Sequence, residues 1–238
     1  MRHFFFNFQL VPAPVAVISF VALAAGELVA LGTAAVLMVT RRTRLARLVL
    51  AGAVAAGVLY LVILYGLSAV SREQVARPGD EKYFCEVDCH LAYSVIETQS
   101  AESIGEGASR SEARGAYWVV TLRVRFDEET ISSQRPRDVS LTPNPRRVRV
   151  VDGSGGNYAV DPAGQRALEA AAGPQVALTQ PLKPGESYVT RLVFDLPVNA
   201  PDPRLLITES DWVTHLLLGH ENSLLHRKTF FAAARRGR

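Results

Sequence analysis

The chain has 238 residues, of which 48% are hydrophobic and 21% are charged, and it carries a formal net charge of +3. A pI near 9.0 is compatible with a nucleic-acid partner, but much of the basic excess lies in one short loop, 41–47, and in the tail, 235–238. We therefore expect no nucleic-acid binding. Once the apolar N-terminal segments are set aside, the remaining length is enough for one globular domain.

Two long apolar segments, 15–39 and 48–70, dominate the first third of the chain. Each is long enough to cross a bilayer as a helix, which takes about 20 residues, and neither has the polar face of a soluble helix. Small residues at 51–57 would let the two helices pack closely as a hairpin. A signal peptide cleaved near 22–24 is the alternative, but the apolar run continues past that point.

Charged and aromatic residues beside these segments predict the topology. Arg41, Arg42, Arg44 and Arg47 crowd the short loop between the segments, and such loops stay in the cytoplasm. Both termini would then be outside, with the C-terminal domain of this multi-pass inner-membrane protein in the periplasm or an extracellular space. The phenylalanines at positions 4, 5, 6 and 8 suit the lipid headgroup layer.

One carboxyl group, Glu27, interrupts the first apolar segment. An intramembrane carboxyl is costly and therefore suggests a function, here in assembly or proton transfer. The alternative is a protonated side chain that is hydrogen-bonded to Tyr60 or Tyr65 on the neighbouring helix. The sequence leaves both possibilities open.

The rest of the chain reads as short strands. Alternation is clearest at 117–126, where every second residue is apolar, and further strands are expected at 91–96, 147–151, 188–196 and 205–208. One short helix is predicted at 164–172, and a polar stretch at 99–115 is predicted to be a loop. Repeated short strands between turn signals indicate a β-sandwich. We divide the chain into a transmembrane hairpin (1–71), a linker (72–82), the sandwich (83–232) and a basic tail (233–238).

Four motifs in the second half carry a resemblance. The strand 117–126, the turn at Asp152 and Gly153, the turn 182–186 and the strand end 193–197 follow in an order similar to that of small immunoglobulin-like domains in bacterial envelope proteins. This family also resembles a secreted mycobacterial antigen. The resemblance implies a seven- or eight-stranded sandwich and no chemistry. The expected fold is thus two transmembrane helices followed by an all-β immunoglobulin-like sandwich.

Cys85, Cys89 and His90 form the first candidate site. On an extended strand the cysteine Cα atoms would be about 13 Å apart, whereas a disulfide requires less than about 7 Å. An oxidising compartment would permit a disulfide if a turn brought the cysteines together. Copper or zinc could bind two thiolates and an imidazole, and unpaired structural cysteines are a further possibility.

Two known motifs are similar to this cluster without matching it. The Cys-x3-Cys spacing resembles the copper loops of oxidase subunits and their assembly proteins, but no histidine follows Cys89 at the required spacing and no prolines frame the pair. The Cys-x3-Cys-His order is also one residue longer than the usual haem attachment motif. It resembles only rare lengthened variants of that motif.

His220, Glu221 and His226 form the second candidate site, within a polar interruption of an apolar stretch. As a tight turn, the neighbouring Asn and Ser would cap backbone groups. As a metal site, the three side chains could supply ligands, together with Cys85 and Cys89 if the first and last strands were neighbours.

No phosphate loop, dinucleotide fingerprint, nucleophile elbow or zinc-protease motif occurs in the sequence. We therefore expect a non-catalytic, membrane-anchored binding or accessory protein that needs no cofactor and contacts another envelope protein or a second copy of itself. The alternative is a copper-binding or thiol redox protein that uses Cys85 and Cys89 with histidine ligands, in the assembly of a respiratory oxidase.

Overall fold

The computed structural model describes residues 4–86 and 90–233 and divides into two compact units. The β-unit comprises 1–7, 73–210 and 228–238, and the helical unit comprises 8–72 and 211–227. These bounds differ from the predicted ones, because a late segment joins the helices and the N-terminus joins the strands. The predicted linker also contains a strand and the start of a second.

The helical unit is built on α1 (Ala13–Val39) and α2 (Thr43–Val70). By length and composition both could cross a membrane, with mean hydropathies of 2.2 and 2.5. They pack along a seam in which successive buried or half-buried residues lie alternately four and three positions apart. The seam residues are Ala16, Phe20, Leu23, Glu27, Ala30, Ala34 and Leu37 on α1, and Ala46, Leu50, Ala53, Gly57, Tyr60, Leu64 and Leu67 on α2.

This 3.5-residue average is the spacing of left-handed helix pairs. Its small members Ala34, Ala46 and Ala53 allow close approach of the backbones. The segment 211–227 adds a short 3-10 helix, Trp212–Leu216, followed by Leu217 and Leu218, which pack against the seam. The helical unit thus has a small apolar core of its own.

The β-unit consists of two five-stranded sheets. The first sheet has, in spatial order, β1 (Phe4–Phe6), β3 (Glu81–Cys85), β4 (His90–Ile104), β5 (Ser111–Asp127) and β8 (Ser187–Leu196). The second has β2 (Gln74–Ala76), β10 (Thr229–Phe231), β9 (Arg204–Glu209), β6 (Arg146–Val151) and β7 (Asn157–Ala159).

Strand pairing gives this sandwich its immunoglobulin-like character. β5 lies between β4 and β8 in the first sheet, and β9 lies between β6 and β10 in the second. The chain therefore crosses between the sheets in the order expected of an immunoglobulin-like Greek key. Phe84, Val120 and Phe126 from the first sheet meet Val150 and Ile207 from the second in one fully buried core. The predicted β-sandwich is confirmed.

The N-terminal phenylalanines form a strand, β1, that the sequence analysis did not predict. Its backbone pairs in parallel with β3, and Phe5 packs against the sandwich core. The Asn7 backbone N–H donates to the Tyr83 carbonyl at 3.1 Å, and its side-chain amide donates to Glu209 at 2.7 Å. Pairing with β3 satisfies backbone groups that an isolated segment would leave to water.

The predicted loop at 99–115 is also corrected, because β4 and β5 pair through most of it. Most of its residues are exposed or half-buried, which accounts for its polar composition. The predicted helix is confirmed as α3 (Pro162–Ala172), whose first turn is capped by Asp161 accepting from the Gly164 N–H at 2.7 Å. α3 covers part of the outer face of the first sheet, including Tyr117.

Candidate functional site

A groove of about 690 Å³ opens at one end of the sandwich. Trp118 and Leu196 lie on its floor, the segment 197–203 and Ala233 form a wall, and Thr98 to Ser100 supply polar groups at the rim. Trp118 is only 8% exposed and its ring centroid lies 6.4 Å from that of Phe194. A mostly apolar floor with a few polar rim groups is the usual composition of a binding pocket.

Unequal strand lengths create this groove. Ser100 pairs with Trp118, and Trp118 pairs with Phe194, so three neighbouring strands present their inner face here. In the second sheet β10 ends at Phe231 and β9 begins at Arg204. The inner face of the first sheet therefore continues past the last residues of the second, and a loop covers it only in part.

The groove lies at the end of the sandwich opposite the chain exit at Phe6 and the chain entry at Gln74. β4 and β10 both run toward the groove. Because β3 is antiparallel to β4 and β1 is parallel to β3, the exit at Phe6 lies at the other end. Because β2 is parallel to β10, the entry at Gln74 also lies there.

The predicted cysteine site falls at a hairpin turn. Cys85 is the last residue of β3 and His90 the first of β4, and the two are cross-strand partners. Cys89 lies outside the described residues, and so does any disulfide or metal site that includes it.

His90 has a partly buried setting on the outer face of the first sheet. Its backbone N–H donates to the Thr130 hydroxyl at 3.2 Å, and its ring lies 5.9 Å from that of Phe6 and 6.2 Å from that of Tyr83. Burial lowers the pKa of His90, and the Asp127 carboxylate opposes that shift. The imidazole is therefore neutral at pH 7 and able in principle to act as a ligand.

An ionic cluster on the same face was missed by sequence reasoning. Arg125 binds Glu81 at 2.8 Å and Asp127 at 3.1 Å, and the Tyr83 hydroxyl donates to Glu81 at 2.8 Å. Burial raises the pKa of Glu81, but the hydrogen bonds from Arg125 and Tyr83 outweigh it and hold that pKa below its ordinary value. Glu81 and Tyr83 are two residues apart in β3, as Arg125 and Asp127 are in β5, so each pair points to one face of its strand. That spacing is the sequence signal that could have predicted the cluster.

A second cluster lies between the sheets around Phe84. Lys82 is fully buried, and its Nζ donates to the carbonyls of Ile207 at 2.9 Å and Thr229 at 3.3 Å. Arg146 forms a buried ion pair with Glu86 and stacks 4.6 Å from the Phe84 ring. Burial raises the pKa of Glu86, against the pull of Arg146. These charges bind one another and the backbone, which is a structural role.

The histidine cluster lies in the turns of the helical unit. His220 Nδ1 accepts from the Asn222 N–H at 3.0 Å, and the His226 Nδ1–H donates to the Arg227 carbonyl at 2.7 Å. Glu221 is fully buried beside them. This is the arrangement expected of the turn alternative. His220 and His226 belong to the helical unit and Cys85 to the β-unit. Within 4–86 and 90–233, no three or more His, Cys, Asp or Glu side chains are grouped as metal ligands.

Glu27 lies in the helical seam opposite Gly57. Its Oε1 is 3.7 Å from the point that a Cβ on Gly57 would occupy, so the missing side chain leaves room for the carboxyl group. Among the described residues Glu27 forms no hydrogen bond to Tyr60 or Tyr65, and the Tyr60 hydroxyl donates to the Leu216 carbonyl at 2.8 Å. Glu27 is therefore directed toward the partner helix and only partly exposed.

The four loop arginines surround the tight turn between α1 and α2. Arg41 takes a left-handed conformation with φ of 58°, and Arg42 is the N-cap of α2. Arg44 and Arg47 project from the first two turns of α2, and all four side chains are exposed.

No family model matches this chain, and no curated protein matches it. Among solved structures, the chain is similar to the secreted protein MPT63 from Mycobacterium tuberculosis, at 16% identity and a TM-score of 0.41, covering 68% of this chain and 98% of that one. A β-sandwich protein from Clostridium difficile is similar at 10% identity and 0.35, covering 68% and 95%. The yjhA protein from Bacillus subtilis is similar at 10% and 0.39, covering 66% and 98%.

The chain thus combines two long apolar helices with a two-sheeted β-sandwich.

Proposed function

We propose that this chain is a two-span protein of the cytoplasmic membrane that displays an immunoglobulin-like binding module on the outer side. There the module would contact another envelope protein or a second copy of the chain, without catalysis. The β-sandwich, a scaffold for many unrelated functions, does not by itself specify a partner. The proposal rests on the chain segments that precede and follow the helical hairpin.

The observation that carries this proposal is the position of β1. Phe4–Phe6 precede α1, whereas the rest of the sandwich follows α2, and yet β1 pairs with β3 inside the sandwich. Both ends of the helical hairpin therefore enter the same folded body. Two crossings bring the chain back to its starting side, and one crossing does not. The pairing thus supports two membrane spans with both termini on one side.

The arginines at the hairpin tip support the orientation. Arg41 and Arg42 form the turn, and Arg44 and Arg47 follow directly. A short Arg-rich loop is retained in the cytoplasm, which puts the sandwich outside. Cleavage of α1 as a signal peptide fits this arrangement less well, because it would remove β1 along with the contacts of Phe5 and Asn7.

The groove supports the binding role. It lies at the end of the sandwich opposite Phe6 and Gln74, and its lining includes Trp118, a residue type enriched at binding hot spots. We propose that an apolar segment of an envelope protein occupies it.

The topology can be tested with single cysteines in a chain whose native Cys85 and Cys89 are replaced by serine. Ser133→Cys reports on an exposed loop of the sandwich and Thr43→Cys on the hairpin tip, since both positions are exposed. A membrane-impermeant maleimide should label position 133 in intact spheroplasts and label position 43 only after the inner membrane is lysed. The reverse pattern, or labelling of both sites from outside, would contradict the proposed topology.

The metal or thiol redox alternative remains a second proposal because Cys85 and His90 are cross-strand partners. A thiolate and an imidazole on the same face of a hairpin are two of the ligands that copper or zinc would need. Metal analysis of the purified full chain, with thiol titration before and after reduction, tests this function. One copper or zinc per chain that is lost in Cys85→Ser would support it, and a metal-free chain after copper loading would exclude it.

A further inference from the structure

We infer that the arginine-rich tip of the helical hairpin binds the phosphate of an anionic phospholipid headgroup. This inference rests on the membrane anchoring proposed above and adds a ligand of stated chemistry to it. The hairpin tip is defined here as residues 40–47. Three observations carry the argument: the charge of the tip, its missing counter-charge, and the state of the two helix ends that meet there.

The tip concentrates positive charge without internal neutralisation. Arg41, Arg42, Arg44 and Arg47 are all exposed. Across the part of the chain that the structure describes, none of their guanidinium groups makes a hydrogen bond or ion pair with another side chain. Four unpaired guanidinium groups in so short a segment repel one another, so an external anion lowers their energy.

The chain offers no carboxylate nearby to serve as that anion. No Asp or Glu occurs between Glu27 and Glu73. Glu27 lies 13 residues before the start of the tip, which is about 20 Å along α1 at the rise of an α-helix. It also faces the seam at Gly57. The counter-charge for the tip must therefore come from outside the protein.

The two helix ends at the tip differ in a way that favours an anion. The carbonyls ending α1 are satisfied: the Thr40 hydroxyl donates to Val36 at 3.0 Å, and the Arg42 N–H donates to Leu37 at 2.8 Å. The first N–H groups of α2, at 43–45, have no such partner. Arg42 provides no side-chain cap, and the first helical hydrogen bond is donated by the Ala46 N–H. The positive end of α2 is thus open, while the negative end of α1 is closed.

The position of this charge selects a lipid over other anions. The tip directly follows one apolar helix and directly precedes another, so in a bilayer it would lie at headgroup level. Phosphodiesters of anionic lipids are concentrated there, and guanidinium groups bind phosphate through paired hydrogen bonds. Each arginine close to an anionic membrane surface contributes a several-fold preference, about fivefold by the usual magnitude.

The test uses the full chain in lipid nanodiscs, where both leaflets are accessible and orientation has no influence. Leu45→Trp adds a tryptophan at the tip, at a side chain that is 47% exposed. Its added fluorescence is measured in phosphatidylcholine discs that contain a minor share of acyl-brominated phosphatidylglycerol or, separately, acyl-brominated phosphatidylcholine. We expect brominated phosphatidylglycerol to associate at least about fivefold more strongly.

Arg41→Gln with Arg42→Gln should lower that ratio several-fold, because two of the four arginines are then uncharged. The matched control is Arg110→Gln with Arg137→Gln, which changes the charge equally at exposed positions of the β-unit and should leave the ratio unchanged. Equal quenching by both lipids in the parent chain would overturn the inference, and so would loss of the preference on adding millimolar inorganic phosphate. Absence of quenching by either lipid would instead show that the hairpin does not insert, which is failure of the proposed function.

Discussion

At the level of single residues, the β-unit buries charges that the sequence pattern would place at the surface. Lys82 in β3 and Glu86 directly after it are buried on the same side as Phe84, where strand alternation predicts apolar residues. Arg146 is the first residue of β6, and its side chain is only 1% exposed. Burying an ion pair costs desolvation, so such a pair stabilises only when its geometry and hydrogen bonds are good. Removing one member leaves the other uncompensated.

Arg146→Leu should destabilise the β-unit by about 3–5 kcal/mol, because Glu86 would lose its buried partner. The measurement is urea unfolding of the detergent-solubilised full chain, followed by near-UV circular dichroism. Arg110→Leu, which breaks an exposed pair with Glu112, is the control and should leave the unfolding midpoint in place. An Arg146 variant as stable as the parent would show that the pair contributes nothing.

Glu81 makes a pH-dependent contribution with a definite sign. Its folded-state pKa is below the ordinary value, through Arg125 and Tyr83, so the ionised form is preferred in the folded protein. That stability is present above the unfolded pKa, about 4.3, and is lost as pH falls through the folded pKa. The parent should lose stability below about pH 4, and Glu81→Gln should be less stable at pH 7 with a shallower acid slope. Parallel pH profiles would contradict this assignment.

At the level of elements, the helical seam combines a regular 3-4 spacing with one polar residue. Gly57 lies opposite Glu27, and a Cβ placed there would be in van der Waals contact with the carboxyl oxygen. Gly52, five residues earlier, is on the outer surface of the same helix, and a Cβ added to it would meet no atom within 4 Å. The two glycines therefore offer a matched pair for testing the seam.

Gly57→Leu should destabilise the hairpin by about 1–3 kcal/mol, since the larger side chain overfills a packed seam. Gly52→Leu adds the same side chain to the outer surface and should have little effect. Thermal loss of helical circular dichroism in detergent micelles measures both. If the Gly52 variant were the more damaged, the outer surface of α2 would be the packed one.

At the level of the whole molecule, the sandwich is assembled from segments on both sides of the helices. β1 comes from the extreme N-terminus and pairs with a strand that follows α2. Phe5 packs against the common core, whereas Phe4 is 58% exposed. The folded β-unit thus depends on residues separated from it by the entire hairpin.

Phe5→Ala should lower the unfolding free energy of the β-unit by about 1–3 kcal/mol, less than a full core deletion because the ring is only partly buried. Phe4→Ala is the matched control and should change it little. Limited proteolysis of the sandwich in the reconstituted full chain provides the measurement. Equal resistance of the Phe5 variant and the parent would indicate that β1 is not required for a folded sandwich.

Local patterns in the sequence were enough to predict the two apolar helices, the β-sandwich and most of its strands, because hydrophobic length and alternation are properties of neighbouring residues. The strand 117–126 and the helix near 164–172 are examples. Only the tertiary structure shows which segments contact one another: β1 pairs with β3, Cys85 pairs with His90, and Glu27 faces Gly57. Pairing across such separations depends on the packing of the whole unit, and no local pattern records it. For the same reason the groove at Trp118 could not be predicted, since it results from a difference in length between two sheets.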